Sequence, residues 1–235
     1  MKVRDSVALI TGANRGLGLA FARALVAAGA RKVYAGARDP RSIALSDVQP
    51  VALDVTNAAQ VAAAARACGD VTLLINNAGV SRGTGALAPD GVAAARAELE
   101  TNFFGPLEMS RAFAPILRAN GGGAIVNVLS VLAWINTPIF GTYCASKSAA
   151  WSLTNGLRIE LRAQHTQVVA LHVGLMDTDM AAGLDAPKTA PAEVVRQTLA
   201  ALEAGREEVL ADEVSRQVKL GLSADPGIYL SEPPG

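Results

Sequence analysis

Tyr143 and Lys147 stand four residues apart in the run Gly141-Thr-Tyr-Cys-Ala-Ser-Lys147. On a helix that spacing puts both side chains on one face, within reach of each other. An ammonium beside a phenol favours the phenolate, so the phenol could exchange a proton well below its free pKa of about 10. The pair is a candidate acid/base. Taken alone, the same spacing describes a solvated helix face, and the rest of the chain has to choose between the two.

Near the other end, Thr11-Gly-Ala-Asn-Arg-Gly-Leu-Gly18 follows the apolar run Val7-Ala-Leu-Ile10 and precedes an apolar stretch ending at Ala28. This reads as a buried strand, a glycine-rich turn and a helix closed by Gly29. Gly12, Gly16 and Gly18 let the backbone turn tightly and approach a pyrophosphate, which would sit on the helix N-terminus where free N–H groups and the dipole favour anions. The spacing is not G-x-G-x-x-G, and a glycine-rich turn without a ligand could share it.

Together these segments resemble the short-chain dehydrogenase/reductase family, in the branch carrying T-G-x-x-x-G-x-G and Y-x-x-x-K. Further motifs match in order: Leu53-Asp54-Val55, Asn76-Asn77-Ala78-Gly79, Asn102 in Asn-Phe-Phe-Gly105, and Ser130 thirteen residues before Tyr143. The resemblance covers essentially the whole chain. It implies a dinucleotide held by Gly12, Asn14, Arg15, Gly16, Leu17 and Gly18, with Asp54 and Val55 flanking the adenine. Asn76, Ala78 and Gly79 would line the ribose side, and Gly174 and Thr178 the nicotinamide. The family's usual Pro-Gly after the sixth strand is Val173-Gly174 here, which leaves that backbone less constrained.

In the reaction that the resemblance implies, hydride moves to or from the nicotinamide while charge develops on the substrate oxygen. That oxygen needs a proton donor and a second hydrogen bond. Tyr143 supplies the first and Ser130 the second. Lys147 holds the ribose hydroxyls and depresses the Tyr143 pKa, and Asn102 positions Lys147 through a water. Singly, Ser130 could cap a strand end, Asn102 could be an interior polar residue, and Asn76-Asn77 could cap a turn. His165 and His172, untied by spacing to these motifs, read as structural.

Cofactor choice turns on the end of the second strand, where an acid selects NAD through the ribose 2′-OH and arginine accommodates the 2′-phosphate of NADP. Ala37-Arg38 stands there, and Arg15 occupies the second basic position typical of NADP-binding members. Asp39 is expected to face outward. NADP(H) is therefore expected. The function implied is an NADP(H)-dependent oxidoreductase interconverting an aldehyde or ketone and an alcohol. A ketoacyl-thioester reductase and a catalytically silent NADP-sensing regulator are the alternatives; the first would want a basic docking patch, the second no proton donor.

These residues need a scaffold. Strand-like runs fall at 6–11, 32–37, 50–53, 71–76, 123–129, 167–173 and 207–210, and helical patterns at 17–28, 57–67, 90–119 (broken near Pro106), 142–163, 191–204 and 212–222. Such alternation with unbroken apolar strands predicts an α/β fold: a single-domain, Rossmann-type, doubly wound parallel sheet with helices on both faces, over residues 1–230. Residues 231–235 read as a tail.

Composition agrees. A length of 235 residues with 51% hydrophobic side chains suits one such domain, and Lys+Arg and Asp+Glu balance at 21 each, pointing to neither nucleic acid nor an anionic membrane. Cys68 and Cys144 suggest no disulfide framework and no metal. With no signal peptide or apolar run of about 20 residues visible, a cytoplasmic protein is expected. A homodimer or homotetramer is expected through the helices near 102–119 and 142–163, whose small residues Ala145, Ser148, Ala149 and Ser152 permit close approach. A small apolar substrate pocket is expected from Leu132, Trp134, Ile135, Phe140, Met176, Met180 and Leu184, under a short lid at 179–190 carrying Asp179.

Overall fold

The computed structural model describes residues 1–230; the tail expected at 231–235 lies outside them. The chain order is β1 (Val7–Thr11), α1 (Gly16–Ala27), β2 (Lys32–Ala37), β3 (Gln49–Ala52), α2 (Ala58–Ala67), β4 (Leu73–Asn76), α3 (Gly91–Leu99), α4 (Gly105–Ala119), β5 (Gly123–Val128), α5 (Gly141–Leu161), β6 (Thr166–His172), α6 (Pro191–Glu203), β7 (Glu208–Leu210) and α7 (Glu213–Gly221). The strands form one 7-stranded sheet in the order β3-β2-β1-β4-β5-β6-β7, parallel at every pairing. The chain winds outward from β1 to β3, then returns to lay β4 against the other side of β1. That reversal opens a crevice beyond the carboxyl ends of β1 and β4, where open α/β sheets bind ligands.

Successive residues of β1 serve opposite cores, as strand geometry requires. Ala8 and Ile10 pack with Phe21 and Leu25 of α1 and Val194 and Leu202 of α6. Val7 and Leu9 pack with Val61 of α2, Phe113 and Leu117 of α4, and Leu157 of α5. Both sheet faces are thereby covered, and all five residues of β1 are buried. The edge strand β3 departs from the apolar pattern: Gln49, Pro50 and Ala52 are exposed. An edge position tolerates Pro50, whose missing N–H would break an interior ladder.

The alanine-rich α2 is started by Asn57, whose side chain accepts from the N–H groups of Ala59 and Gln60, an N-cap worth about 1 kcal/mol. The long helical pattern expected at 90–119 divides as α3, a π-helical turn at Glu100–Phe104, and α4. Pro106 stands two residues past the interruption, near the expected break, in the first turn of α4. The interruption precedes it, and the turn closed by Gly105 N–H on the Glu100 carbonyl carries Asn102. No helix among the described residues is long and apolar enough to cross a membrane.

Candidate active site

The glycine turn after β1 is held in a shape that only glycine fits. Gly12 has φ +66, and a Cβ on Gly18 would stand 2.2 Å from the Gly12 carbonyl oxygen. Asn77 stitches this turn to the end of β4: its Nδ2 donates to the carbonyls of Thr11 at 2.8 Å and Gly12 at 3.1 Å. The backbone N–H groups of Asn77 and Ala78 both donate to Thr11 Oγ1 at 2.9 Å. At the start of α1 no side chain caps the helix and no acid occupies the first turn. Free N–H groups, a positive dipole end and no competing carboxylate fit a pyrophosphate.

Other expected cofactor residues divide. Ala37 is buried at the end of β2, and Arg38 just beyond it is exposed. Asp39 turns away into a paired contact with Arg41, at 2.9 Å to Nε and 3.1 Å to Nη2. Asp54 accepts from Thr56, which holds its carboxyl below the usual range, and Val55 packs beneath Gly105. Thr178 lies against Gly16. Arg15 is engaged, pairing with Asp179 at 2.9 Å on the exposed rim. Asn76 does not reach the crevice. Its side chain is buried and donates to Asn127 Oδ1 at 2.8 Å, and Asn127 in turn donates to Thr154. The strand period explains this, since Asn76 points into the sheet core while its successors lie in the turn.

Ser130 follows β5, with Leu132 N–H donating to its Oγ at 3.1 Å. Its own O–H is left for the Tyr143 phenol beside it. Tyr143, in the first turn of α5, is half-buried. Desolvation raises its phenol above the ordinary range, the Ser130 hydroxyl pulls it partway back, and the Cys144 and Glu98 side chains push it up. Lys147 is buried one helical turn further on, and its Nζ donates to the Val128 carbonyl at 2.9 Å. Burial lowers this ammonium from 10.5 to about 8. The expected depression of Tyr143 by Lys147 is thus not present here: the lysine faces a carbonyl instead, and burial of the phenol prevails.

Asn102 is fully buried in the π-helical turn, where its Oδ1 accepts from Val80 N and its Nδ2 donates to the Val80 carbonyl and Ser146 Oγ, each at 2.9 Å. Ser146, the neighbour of Lys147 on α5, passes this contact on by donating to the Tyr143 carbonyl at 2.8 Å. Gly79 lies between Asn102 and Lys147: a Cβ there would stand 3.3 Å from Asn102 Oδ1 and 3.7 Å from Lys147 Nζ.

The pocket expectation is corrected at Trp134. Trp134 is buried in a core cluster with Val131 and Val218, against which Leu132 and Ile135 also pack. Phe140 does reach the site, meeting Tyr143 edge-on with centroids 6.5 Å apart, and Met180 is exposed on the lid. Asp212 was not singled out in the sequence, and His172 reads there as structural. Asp212, ahead of α7, accepts from Gly174 N–H, which restrains the backbone where the family proline is absent. His172 reaches the Ser130 carbonyl with Nδ1 at 3.1 Å. No spacing rule announces either, because both act across the sheet from distant elements.

Comparison with known proteins matches this geometry. A solved short chain dehydrogenase from Burkholderia cenocepacia J2315, in complex with NADP, superposes with a TM-score of 0.92 at 45% identity over 96% of each chain. The galactitol 2-dehydrogenase (L-tagatose-forming) of Cereibacter sphaeroides is 37% identical over 190 residues, 76% of this chain and 74% of that protein. Dehydrogenase/reductase SDR family member 7B of Bos taurus is 30% identical over 97% of this chain and 80% of its own length. Residues 6–189 match the short chain dehydrogenase family, and with the sheet order, the glycine turn and the Ser130, Tyr143 and Lys147 group in place, the chain belongs to that family.

Proposed function

We propose that this protein is an NADP(H)-dependent oxidoreductase that interconverts a small, largely apolar aldehyde or ketone and the corresponding alcohol. The observation that carries the reading is the pairing of two hydroxyls: the Tyr143 phenol, pushed up by burial, stands beside the Ser130 hydroxyl that acts on it, and Leu132 N–H donates to the Ser130 Oγ. A carbonyl oxygen entering between them meets two donors. A reduced dinucleotide held at the glycine turn would supply hydride to the carbonyl carbon. Tyr143 gives its proton to the oxygen as negative charge grows there, Ser130 stabilises the same oxygen, and the tyrosinate regains a proton from solvent.

The binding roles follow the same elements. The turn from Gly12 to Gly18 and the N-terminus of α1 take the pyrophosphate. Ala78 and Gly79 flank the ribose, and Lys147, one turn from Tyr143, is assigned the ribose hydroxyls, exchanging its Val128 contact for them. Arg38 and Arg15 take the 2′-phosphate, and the small Ala37 leaves no carboxylate to oppose it. Thr178 is assigned the carboxamide.

A homo-oligomer also belongs to this reading. Along α5, Ala145 and Ser152 are exposed, and nothing lies within 4 Å of a Cβ placed on Gly156, which suits close helix approach. Ser148 is excluded from that face, since its hydroxyl donates to the Ala133 and Cys144 carbonyls. Sedimentation at micromolar concentration tests it: a 24.1 kDa monomer would contradict it.

Initial rates of NADPH consumption decide the activity, with an aryl aldehyde, an aliphatic ketone and a keto acid of similar size as substrates. Galactitol with NADP joins the panel in the reverse direction, because a relative acts on that polyol. Preference for an apolar carbonyl compound is expected; preference for the acid or the polyol would overturn the substrate class.

A further inference from the structure

We propose that His172 is a positioning residue for Ser130, its Nδ1–H holding the Ser130 carbonyl and thereby fixing the direction of the serine hydroxyl. This rests on Ser130 working beside Tyr143 as proposed above. His172 closes β6 and is fully buried, with Nδ1 at 3.1 Å from the Ser130 carbonyl oxygen. A carbonyl oxygen only accepts, so Nδ1 carries the hydrogen and Nε2 is the bare nitrogen. Burial, reinforced by the positive charges of Lys219, Arg158 and Lys147 and opposed by the Ser130 carbonyl, brings this imidazole from 6.5 to about 3. The ring is neutral throughout the working range, with one donor to give.

The placement is tight on both sides. Leu129 N–H donates to the Leu171 carbonyl at 2.8 Å, and Val131 N–H donates to the Val173 carbonyl at 3.0 Å. Three consecutive residues of the β6 end therefore grip three consecutive residues around Ser130, and the middle contact is the imidazole's. Its ring is stacked on Trp134, with centroids 3.7 Å apart and planes 19° apart. Trp134 is braced edge-on by Trp151 at 6.1 Å and has Lys219 Nζ 5.0 Å from its ring centroid. The bare Nε2 has no partner among the described residues. An apolar side chain of similar size would leave no such orphan, so the Nδ1–H bond is what the imidazole adds. Without it the peptide between Ser130 and Val131 loses one of three restraints, keeping the Ala133 N–H on the Ser130 carbonyl and the Val131 N–H on the Val173 carbonyl, each at 3.0 Å.

The test compares His172→Leu, which removes the donor, with His172→Asn, whose Nδ2 can restore it. The leucine variant should lose about tenfold or more in kcat while its KM for NADPH stays within about twofold, and the asparagine variant should recover most of the loss. In a Ser130→Ala background the leucine change should cost less than about twofold, because the serine it positions is gone. Amide exchange at residues 129–134, read without substrate, should quicken in the leucine variant and not in the asparagine variant. Nitrogen NMR of the unmutated protein should find the neutral Nδ1–H tautomer at His172 between about pH 5 and 8; the Nε2–H tautomer would overturn the proposal whatever the variants do. So would additive losses in the Ser130→Ala background or unchanged exchange at 129–134. If the parent protein turns over no carbonyl compound, the functional reading fails, while exchange and tautomer still decide the hydrogen bond.

Discussion

Lys147 Nζ donates to the Val128 carbonyl at 2.9 Å while standing 5.7 Å from the centroid of the Tyr143 ring. A buried ammonium with a backbone oxygen for a partner is incompletely compensated, which is why burial brings it from 10.5 down to about 8. Between those values the unfolded chain binds more protons than the folded one, so this group's contribution to stability improves as pH rises through that window. Below about 8 its full cost is present. Lys147→Met should therefore stabilise the cofactor-free protein at pH 7 by about 1–3 kcal/mol, less whatever the Val128 bond contributes. That gain should shrink toward pH 10, and turnover should vanish. Thermal unfolding of both proteins at the two pH values checks it, and a methionine variant less stable at pH 7 would show that the hydrogen bond outweighs the desolvation.

Tyr143→Phe removes only the hydroxyl that transfers the proton. The ring keeps its packing against Phe140, so the fold and dinucleotide affinity should hardly change. The rate should fall by at least about 10²-fold. Single-turnover rates and NADPH titration of the same sample separate the two effects, and a variant keeping more than about a tenth of the parent rate would remove Tyr143 from the role assigned to it.

Most of the frame was legible because it is written in short-range signals. The apolar run into Gly12 and the four-residue step from Tyr143 to Lys147 each constrain backbone within a turn or two. The family membership expected from these motifs and the parallel, doubly wound sheet were both found. What escaped depends on elements far apart in sequence. Asn76 belongs to the motif, yet its side chain joins Asn127 and Thr154 inside the sheet. Trp134 sits in loop-like sequence and still packs into a core, because β6 offers His172 as a stacking partner. Lys147 and Tyr143 share a helix face, yet burial decides their protonation, and burial is a property of the assembled fold.

The rim pair of Arg15 and Asp179 bears on cofactor choice. Both side chains are largely exposed, so the pair is worth at most about 1 kcal/mol, but Asp179 competes with any phosphate offered to Arg15. Asp179→Asn should lower the KM for NADPH by about two- to fivefold and leave that for NADH unchanged, more so at low salt. Ala37→Asp with Arg38→Leu should reverse the preference, since a carboxylate there repels the phosphate and accepts from ribose hydroxyls. Equal kcat/KM for both cofactors in the unmodified enzyme would defeat the argument from the two arginines.

Asp212 has two tasks, and a single substitution can separate them. Its Oδ1 accepts from Ser215 N–H at 2.7 Å, capping α7, while Oδ2 accepts from the Gly174 N–H beyond β6. Serine caps a helix about as well as aspartate, but one hydroxyl oxygen cannot also reach back across to Gly174. Asp212→Ser should therefore keep stability within about 1 kcal/mol while loosening the backbone at Val173-Gly174, where no proline stiffens it. NADPH affinity should fall several-fold, and Asp212→Ala should lose both stability and affinity. Thermal unfolding and NADPH fluorescence titration of the two variants supply the comparison. If the serine variant binds NADPH as tightly as the parent, Asp212 is a helix cap and nothing more, and the backbone at Val173-Gly174 is held by some other contact.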